Sequence, residues 1–342
     1  MEVAYKKFED QLVLTHRIHG KVEDLPKVFA KMSGVAGTAA KGPPVVVLHF
    51  PLTDKDGRTM DVCLPISEKV ESDEFETMTL TGGLAATTIH RGSHSTIMDT
   101  YRELIPNVYK HGHPIQENGR EEFQNLDLEN SEKTVIEIQA MLVDWEGKLS
   151  FHLERVLGSE TRDHVLSGFD NLTLETEQQK RASVIKDALR KLDEVATEEQ
   201  KYEALSCCGH QFPAELIEGM RILYRETNSI DTIIQAMKDG HHFYPHLRRE
   251  GNIIYDRKAP ARKESLDKAQ TKAEKMRAIC FCPLLNDVWN EMPGTFCYCA
   301  AGWPRRLFEG ILETELKVDV VKALTKGDDY CEFAIYLPEN IM

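Results

Sequence analysis

A carboxylate inside an otherwise apolar run is the first position in this chain that invites a chemical reading. Glu137 lies in Val135-Ile136-Glu137-Ile138, and on a strand it shares a face with Gln139. Such a side chain is either turned to solvent or buried with compensation, because burying it unpaired costs several kcal/mol. A lipophilic cation would compensate, and aromatic rings would add about 0.5–2 kcal/mol each through cation–π attraction. Burial would also raise the pKa of Glu137 and make it a general base toward water. Glu121 and Glu122 are adjacent, so on a strand they point to opposite faces and only one can face a groove. If Glu121 converged with Glu137, repulsion would push their pKa values apart and create an acid/base division. A surface pair is the alternative. His90 and His94 bracket Arg91-Gly92-Ser93, where a strand gives way to a helix. From there an imidazole can shuttle protons, hold a ligand, or simply bond to turn backbone.

The cysteines form a second group. Cys280-Phe281-Cys282 and Cys297-Tyr298-Cys299 each place two thiols on one face if the segment is extended, and the residues between them allow a loop that joins the pairs. Four thiolates at about 2.3 Å would satisfy a structural zinc. Redox-active thiols and plain buried thiols are the other readings. Cys63 and Cys331 alternate with core-type neighbours and read as packed side chains. His241-His242-Phe243-Tyr244-Pro245-His246 reads as a loop with half-buried rings or as a source of metal or ligand contacts. His111-Gly112-His113 reads as a helix terminus.

The elements that must position these residues occur twice over. Leu12–Ile18 has a strand pattern, and Val22, Leu25, Val28, Phe29 and Met32 follow at helical spacing. Val45–Leu48 suits a strand buried on both faces. After the turn Asp54-Lys55-Asp56-Gly57, Met60, Val62, Leu64 and Ile66 alternate with Asp61, Cys63 and Pro65. The order then repeats. A strand-like segment runs from Thr77 to Ile89 around Thr81-Gly82-Gly83. A helix between Ser93 and His111 carries Ile97, Tyr101, Leu104, Val108 and Tyr109 on one stripe, and Gly112 ends it. Tyr101 on that stripe is either core or groove wall. Arg120–Gln124 and Thr134–Val143 supply two more strands. Tandem strand–helix–strand–strand units predict a pseudo-twofold α+β domain with a central groove. Beyond it, the segment from Phe169 to Ala204 lacks Gly and Pro and carries a helical stripe from Val184 to Val195. Further helical segments and strand-like runs at Lys317–Val321 and Glu332–Leu337 predict a second α+β domain.

Composition sets outer bounds. The 342 residues predict about two domains, with 41% hydrophobic and 29% charged residues, as in a globular protein. A formal charge of −14 disfavours a phosphate backbone as partner, so no nucleic acid is expected. No apolar run reaches the ~18 residues of a membrane span, and the start has no apolar leader core, so no membrane is expected and the expected location is cytoplasmic.

Local motifs carry a family resemblance. "MDVCLPI" (60–66), "LTGGLAATTIHRGSH" (80–94), "GREEF" (119–123) and "IEIQAML" (136–142) follow one another in the order seen in the GyrI-like small-molecule-binding domain, which residues 1–147 resemble. Thr81 departs from the family's Pro, His94 from an aromatic residue and Phe123 from Tyr. The resemblance implies a ligand groove of the kind found in effector domains of multidrug-responsive regulators. It also implies the alternatives of toxin sequestration or hydrolysis of strained-ring genotoxins. The later segments "CFCPLLN" (280–286), "FCYCAAGW" (296–303), "LFEGIL" (307–312) and "GDDYCEF" (327–333), with Cys208-Gly209, are similar to an uncharacterised Cys-rich family of the 4-vinyl-reductase-like kind.

Together these readings predict a GyrI-like domain at 1–147, a helical connection at 148–204 and a Cys-rich α+β domain at 205–342. The expected function is binding of a small aromatic or cationic molecule. Glu137 supplies charge, Tyr101 and Phe123 supply stacking surface, and His90 and His94 lie nearby. One alternative is a hydrolase in which Glu137, with Glu121, activates water. The other is a metal- or redox-responsive module built on Cys280, Cys282, Cys297 and Cys299, with zinc as the possible cofactor.

Overall fold

The computed structural model describes residues 1–49, 57–116, 118–208, 214–240, 244–285 and 288–341, without the side chains of Ala214, Glu215 and Asn340. The turn residues Asp54-Lys55-Asp56, the run His241-His242-Phe243, and Gly209 and Asn286 at motif ends lie outside the described residues. The chain divides into two compact units, Met1–Asp144 and Trp145–Met342.

In the first unit, β1 (Ala4–Phe8) and β2 (Gln11–Gly20) precede α1 (Leu25–Ala36), β3 (Val45–Leu48) and β4 (Arg58–Pro65). Then come β5 (Glu76–Leu80), β6 (Gly83–Arg91), α2 (Ile97–Lys110), β7 (Arg120–Asn125) and β8 (Val135–Met141). The strands form one antiparallel sheet in the order β1-β6-β8-β7-β3-β4-β2-β5. Two strand–helix–strand–strand halves, β2-α1-β3-β4 and β6-α2-β7-β8, therefore meet at the seam β3–β7, where Val46 lies directly opposite Glu121. The sequence reading of the tandem repeat is correct. It omits β1, whose charged residues Lys6 and Lys7 hide a strand that, among the described residues, pairs with β6 alone.

Strand alternation sorts side chains onto two faces. One face carries Val46, Leu48, Met60, Val62, Glu121, Phe123, Ile136 and Ile138, and it receives the helices, since Tyr101 of α2 reaches Glu121 and Phe29 of α1 meets Phe123. The other face carries Glu122, Glu137 and Ile89, with Val13, Val45, Val47, Cys63 and Leu80 in a small apolar cluster. Pro26 opens α1, and Gly112, at φ 77°, turns the chain just after α2.

The second unit runs α3 (Trp145–Leu157), α4 (Ser159–Val165), α5 (Gln178–Val195), α6 (Glu198–Ser206), α7 (Ala214–Thr227) and α8 (Ile230–Gly240). There follow β9 (Arg248–Glu250), β10 (Ile253–Arg257), α9 (Lys263–Lys268), α10 (Lys272–Ile279), α11 (Tyr298–Leu312), β11 (Lys317–Lys322) and β12 (Glu332–Tyr336). Its sheet has the order β11-β12-β10-β9. Both units mix helix and sheet, so the α+β class stands. The helices between Trp145 and Ser206 bury Leu149, Leu153, Ile185 and Leu189 in one cluster with Leu285 and Phe296 of this unit. A further cluster joins Ile233, Met237, Ile254, Phe308 and Phe333. Helix α11 has no counterpart in the sequence reading, because Gly302 and Pro304 interrupt its pattern. Gly302 is required there: a Cβ would lie 1.9 Å from the carbonyl oxygen of Ser206. Among the described residues no helix is long and apolar enough to cross a membrane.

Candidate functional site

At the centre of the first unit's helix-covered face, the seam β3–β7 places Glu121 between Val46 and Ile138, where its side chain is completely buried. A lone carboxylate there would be very costly, and three neighbours compensate it. Arg58, the first residue of β4, has a guanidinium nitrogen 3.2 Å from Oε2. His94, in the turn leading into α2, has Nε2 3.0 Å from the same oxygen. The Tyr101 hydroxyl donates to Oε1 at 3.3 Å. Burial pushes the Glu121 pKa up, but the His94 hydrogen bond and the Arg58 charge outweigh it, and the net shift is downward. Glu121 is therefore an anion at neutral pH. Burial first, and the Glu121 charge second, push the Tyr101 phenol well above its ordinary value, so it stays a donor.

Aromatic rings border this network. The Phe123 ring stacks on His94 at 6.3 Å between centroids and meets Phe29 of α1 at 5.5 Å. His90 acts one step away. Its Nε2 donates to the Ser93 carbonyl at 3.0 Å, which leaves Nδ1 to accept from the Thr100 hydroxyl at 2.8 Å. His90 thus braces β6 against the start of α2 and fixes the turn that carries His94. Ser93 completes that turn by accepting from the Ser95 amide.

The structure thus brings together Glu121, Tyr101, Phe123 and His94. It separates Glu137 from them. Glu122, not Glu121, lies opposite Glu137, so Glu121 and Glu137 project from opposite faces and no carboxylate dyad forms. The cause is register: Glu121 pairs with Ile138, one residue off. Glu137 is 6% exposed, ion-paired with Lys6, and lines a cavity of about 740 Å³ with Thr87, Ile89 and Glu103 among others. Burial and then the Glu137 charge push the Glu122 pKa up.

Sequence reasoning missed Arg58 and Lys6. The signal for Arg58 was present, since it shares strand parity with Met60, Val62 and Leu64 and so heads the apolar stripe. Lys6 was hidden with β1.

The cysteine pairs do not form the expected tetrad. Cys297 and Cys299 fall where a 3-10 turn becomes α11, so they diverge by about 200° instead of sharing a face. Cys297 meets the Thr325 hydroxyl at 3.1 Å, while Cys299 accepts from the Trp145 indole at 3.3 Å. Burial pushes Cys280 up to about 12 and Cys299 up to about 11, so both are thiols at neutral pH. Among the described residues no group of three or more His, Cys, Asp or Glu is arranged to hold a metal ion. A different polar cluster lies in the second unit. Asp256, completely buried, binds Lys258 at 2.7 Å, and the Lys258 ammonium lies 5.4–5.7 Å from the ring centroids of Tyr244, Trp303 and Phe333.

Residues 258–342 match the model of a family of unknown function, DUF6144. No curated protein matches the chain. Among solved structures, the C-terminal domain of EcmrR is similar at 16% identity and TM-score 0.37, covering 41% of this chain and 96% of that one. A hydrolase encoded by lin2189 from Listeria innocua is similar at 12% identity and TM-score 0.36, covering 41% and 91%. SAV2435 bound to tetraphenylphosphonium is similar at 13% identity and TM-score 0.30, covering 43% and 97%.

Proposed function

We propose that the first unit is a GyrI-like domain that binds a small aromatic or cationic organic molecule between α1 and α2, with the Glu121 network as the polar end of the site. The observation that carries this reading is a fully buried carboxylate held by Arg58, His94 and Tyr101 beside the rings of Phe29 and Phe123. The tandem topology and the order of the four sequence motifs support it. Buried charge at that position costs stability, and a recognition role accounts for it. In the described state Arg58 already neutralises Glu121. A cationic guest therefore has to take the place of Arg58, whereas a neutral aromatic guest can stack on Phe123 and bond to His94.

Calorimetric titration of the full chain tests the proposal, with tetraphenylphosphonium and a series of neutral aromatic heterocycles as probes. Saturable binding is expected, weakened about tenfold by Phe123→Ala through lost stacking and burial. Absence of saturable binding across the series, or binding indifferent to both Phe123→Ala and Glu121→Gln, overturns it.

A second reading, hydrolysis, is favoured by the Glu121–His94 bond. A carboxylate that holds Nε2–H of an imidazole leaves Nδ1 as the acceptor, and His94 has no other hydrogen-bonding residue at Nδ1 among those described. Such an imidazole can take a proton from water while Glu121 steadies the resulting cation. Turnover of electrophilic strained-ring substrates that disappears in His94→Gln, with binding retained, selects this reading over sequestration.

A further inference from the structure

We infer that the cavity over Glu137 is a second binding site of the first unit, for a small linear diamine, and that Lys6 is its built-in competitor. The cavity, about 740 Å³, lies where β1 runs out beside β6 and α2, with Glu2, Ala4 and Lys6 on one side, Thr87 to Arg91 and Glu137 at its base, and Asp99, Thr100 and Glu103 on the other. That volume is within the range of small-molecule sites. Glu137 contributes a side chain that is 7% exposed. Its Oε1 accepts from the Lys6 ammonium, and its Oε2 has no hydrogen-bond partner among the described residues.

Three features select the ligand. First, the group that Glu137 already holds is a primary ammonium on a flexible alkyl stem. The Lys6 side chain is 47% exposed and stands on an edge strand, so it can swing into solvent at little cost. Second, the wall hydroxyls are acceptors toward the cavity. Thr88 donates its proton to the Glu2 carbonyl at 2.7 Å and Thr87 donates to the Ala4 carbonyl at 3.4 Å, so only lone pairs remain to meet an N–H. Third, the lining carboxylates Glu2, Asp99, Glu103 and Glu137 outnumber the lining cations Lys6, Arg91 and the Met1 amino group, and Asp99 also pairs outward, with Arg102. One ammonium replaces that of Lys6 at Glu137, and a second is drawn to Glu103 on the α2 side. A quaternary ammonium has no N–H to offer and loses the wall contacts.

Isothermal titration of the full chain with 1,4-diaminobutane, and with its fully N-methylated bis-quaternary analogue as control, tests the inference. Diaminobutane is expected to bind and the analogue to bind about tenfold more weakly. Lys6→Met should tighten diaminobutane binding about fivefold, because the tethered rival is gone. Glu137→Gln should weaken it at least about tenfold. Lys6→Met alters an exposed side chain, so it keeps the test decisive should Glu137→Gln disturb the strand. The inference is overturned by no binding to either wild type or Lys6→Met up to about 10 mM. It is equally overturned if Lys6→Met binds no more tightly than wild type, if the analogue binds as well as the diamine, or if a folded Glu137→Gln binds like wild type.

Discussion

Replacing Glu121 by Gln tests whether its charge network holds the first unit together. Gln keeps an acceptor for Tyr101 but removes the negative charge that Arg58 and His94 meet at 3.2 and 3.0 Å. Each charge-assisted bond is worth about 1.5–3 kcal/mol. Arg58 is 15% exposed and recovers part of its hydration, so the net loss is expected at about 3 kcal/mol. Hydrogen exchange read by mass spectrometry suits the measurement, since all three tryptophans, Trp145, Trp289 and Trp303, belong to the second unit and leave the first without a tryptophan signal. Peptides covering β7 and β8 should lose about a hundredfold in protection at neutral pH, with the β12 peptide as in-molecule reference. The sign with pH follows from the depressed pKa. Stability from ionised Glu121 is complete above its ordinary value of 4.5 and is lost as pH falls through the lower folded value. The gap between wild type and variant should therefore narrow only in acid. A gap below about 0.5 kcal/mol at neutral pH would refute the reasoning.

Other substitutions probe separate parts of the molecule. Arg58→Met should strengthen binding of tetraphenylphosphonium several-fold, because the guest no longer has to displace a guanidinium from Glu121; titration calorimetry reads the sign. Tyr101→Phe removes one neutral donor to a buried carboxylate and should cost about 1–3 kcal/mol by the same exchange measurement. Lys258→Met leaves the buried Asp256 without its counter-charge and should destabilise the second unit by about 3–5 kcal/mol, seen as an earlier tryptophan-fluorescence transition in urea. In alkylation at pH 8, part-exposed Cys207 should react well before buried Cys280, whose thiolate fraction is only about one in ten thousand. Peptide mass spectrometry gives the order of modification.

The first unit was readable because its two halves alternate apolar and polar residues with little interruption, from Met60-Asp61-Val62 to Ile136-Glu137-Ile138. Periodicity places Glu121, Phe123 and Tyr101 on the right elements. It cannot choose between the two sheet faces, because that depends on register across strands distant in sequence, and the guess that Glu121 and Glu137 converge failed there. Lys6 was lost with a short, charged edge strand whose pairing with β6 is set by tertiary contact. The expectation that Cys297 and Cys299 share a face failed for a local reason. Two thiols at i and i+2 share a face only in extended chain, and Cys297–Cys299 enters a helix whose later Gly302 and Pro304 obscure it.

The seam between β3 and β7 has a consequence for how any guest is oriented. The two strands run antiparallel about the Val46–Glu121 pair, so Val45, Val46 and Val47 of one half answer to Arg120, Glu121 and Glu122 of the other. On the helix-covered face the equivalent pair is Val46 and Glu121, aliphatic in one half and ionised in the other, and the first half returns Arg58 to Glu121. A receptor assembled from near-duplicates would ordinarily accept a molecule in either of two opposed poses. In the proposed binding mode that degeneracy is removed, because an asymmetric guest meets Glu121 and Arg58 on one side of the seam and Val46 on the other.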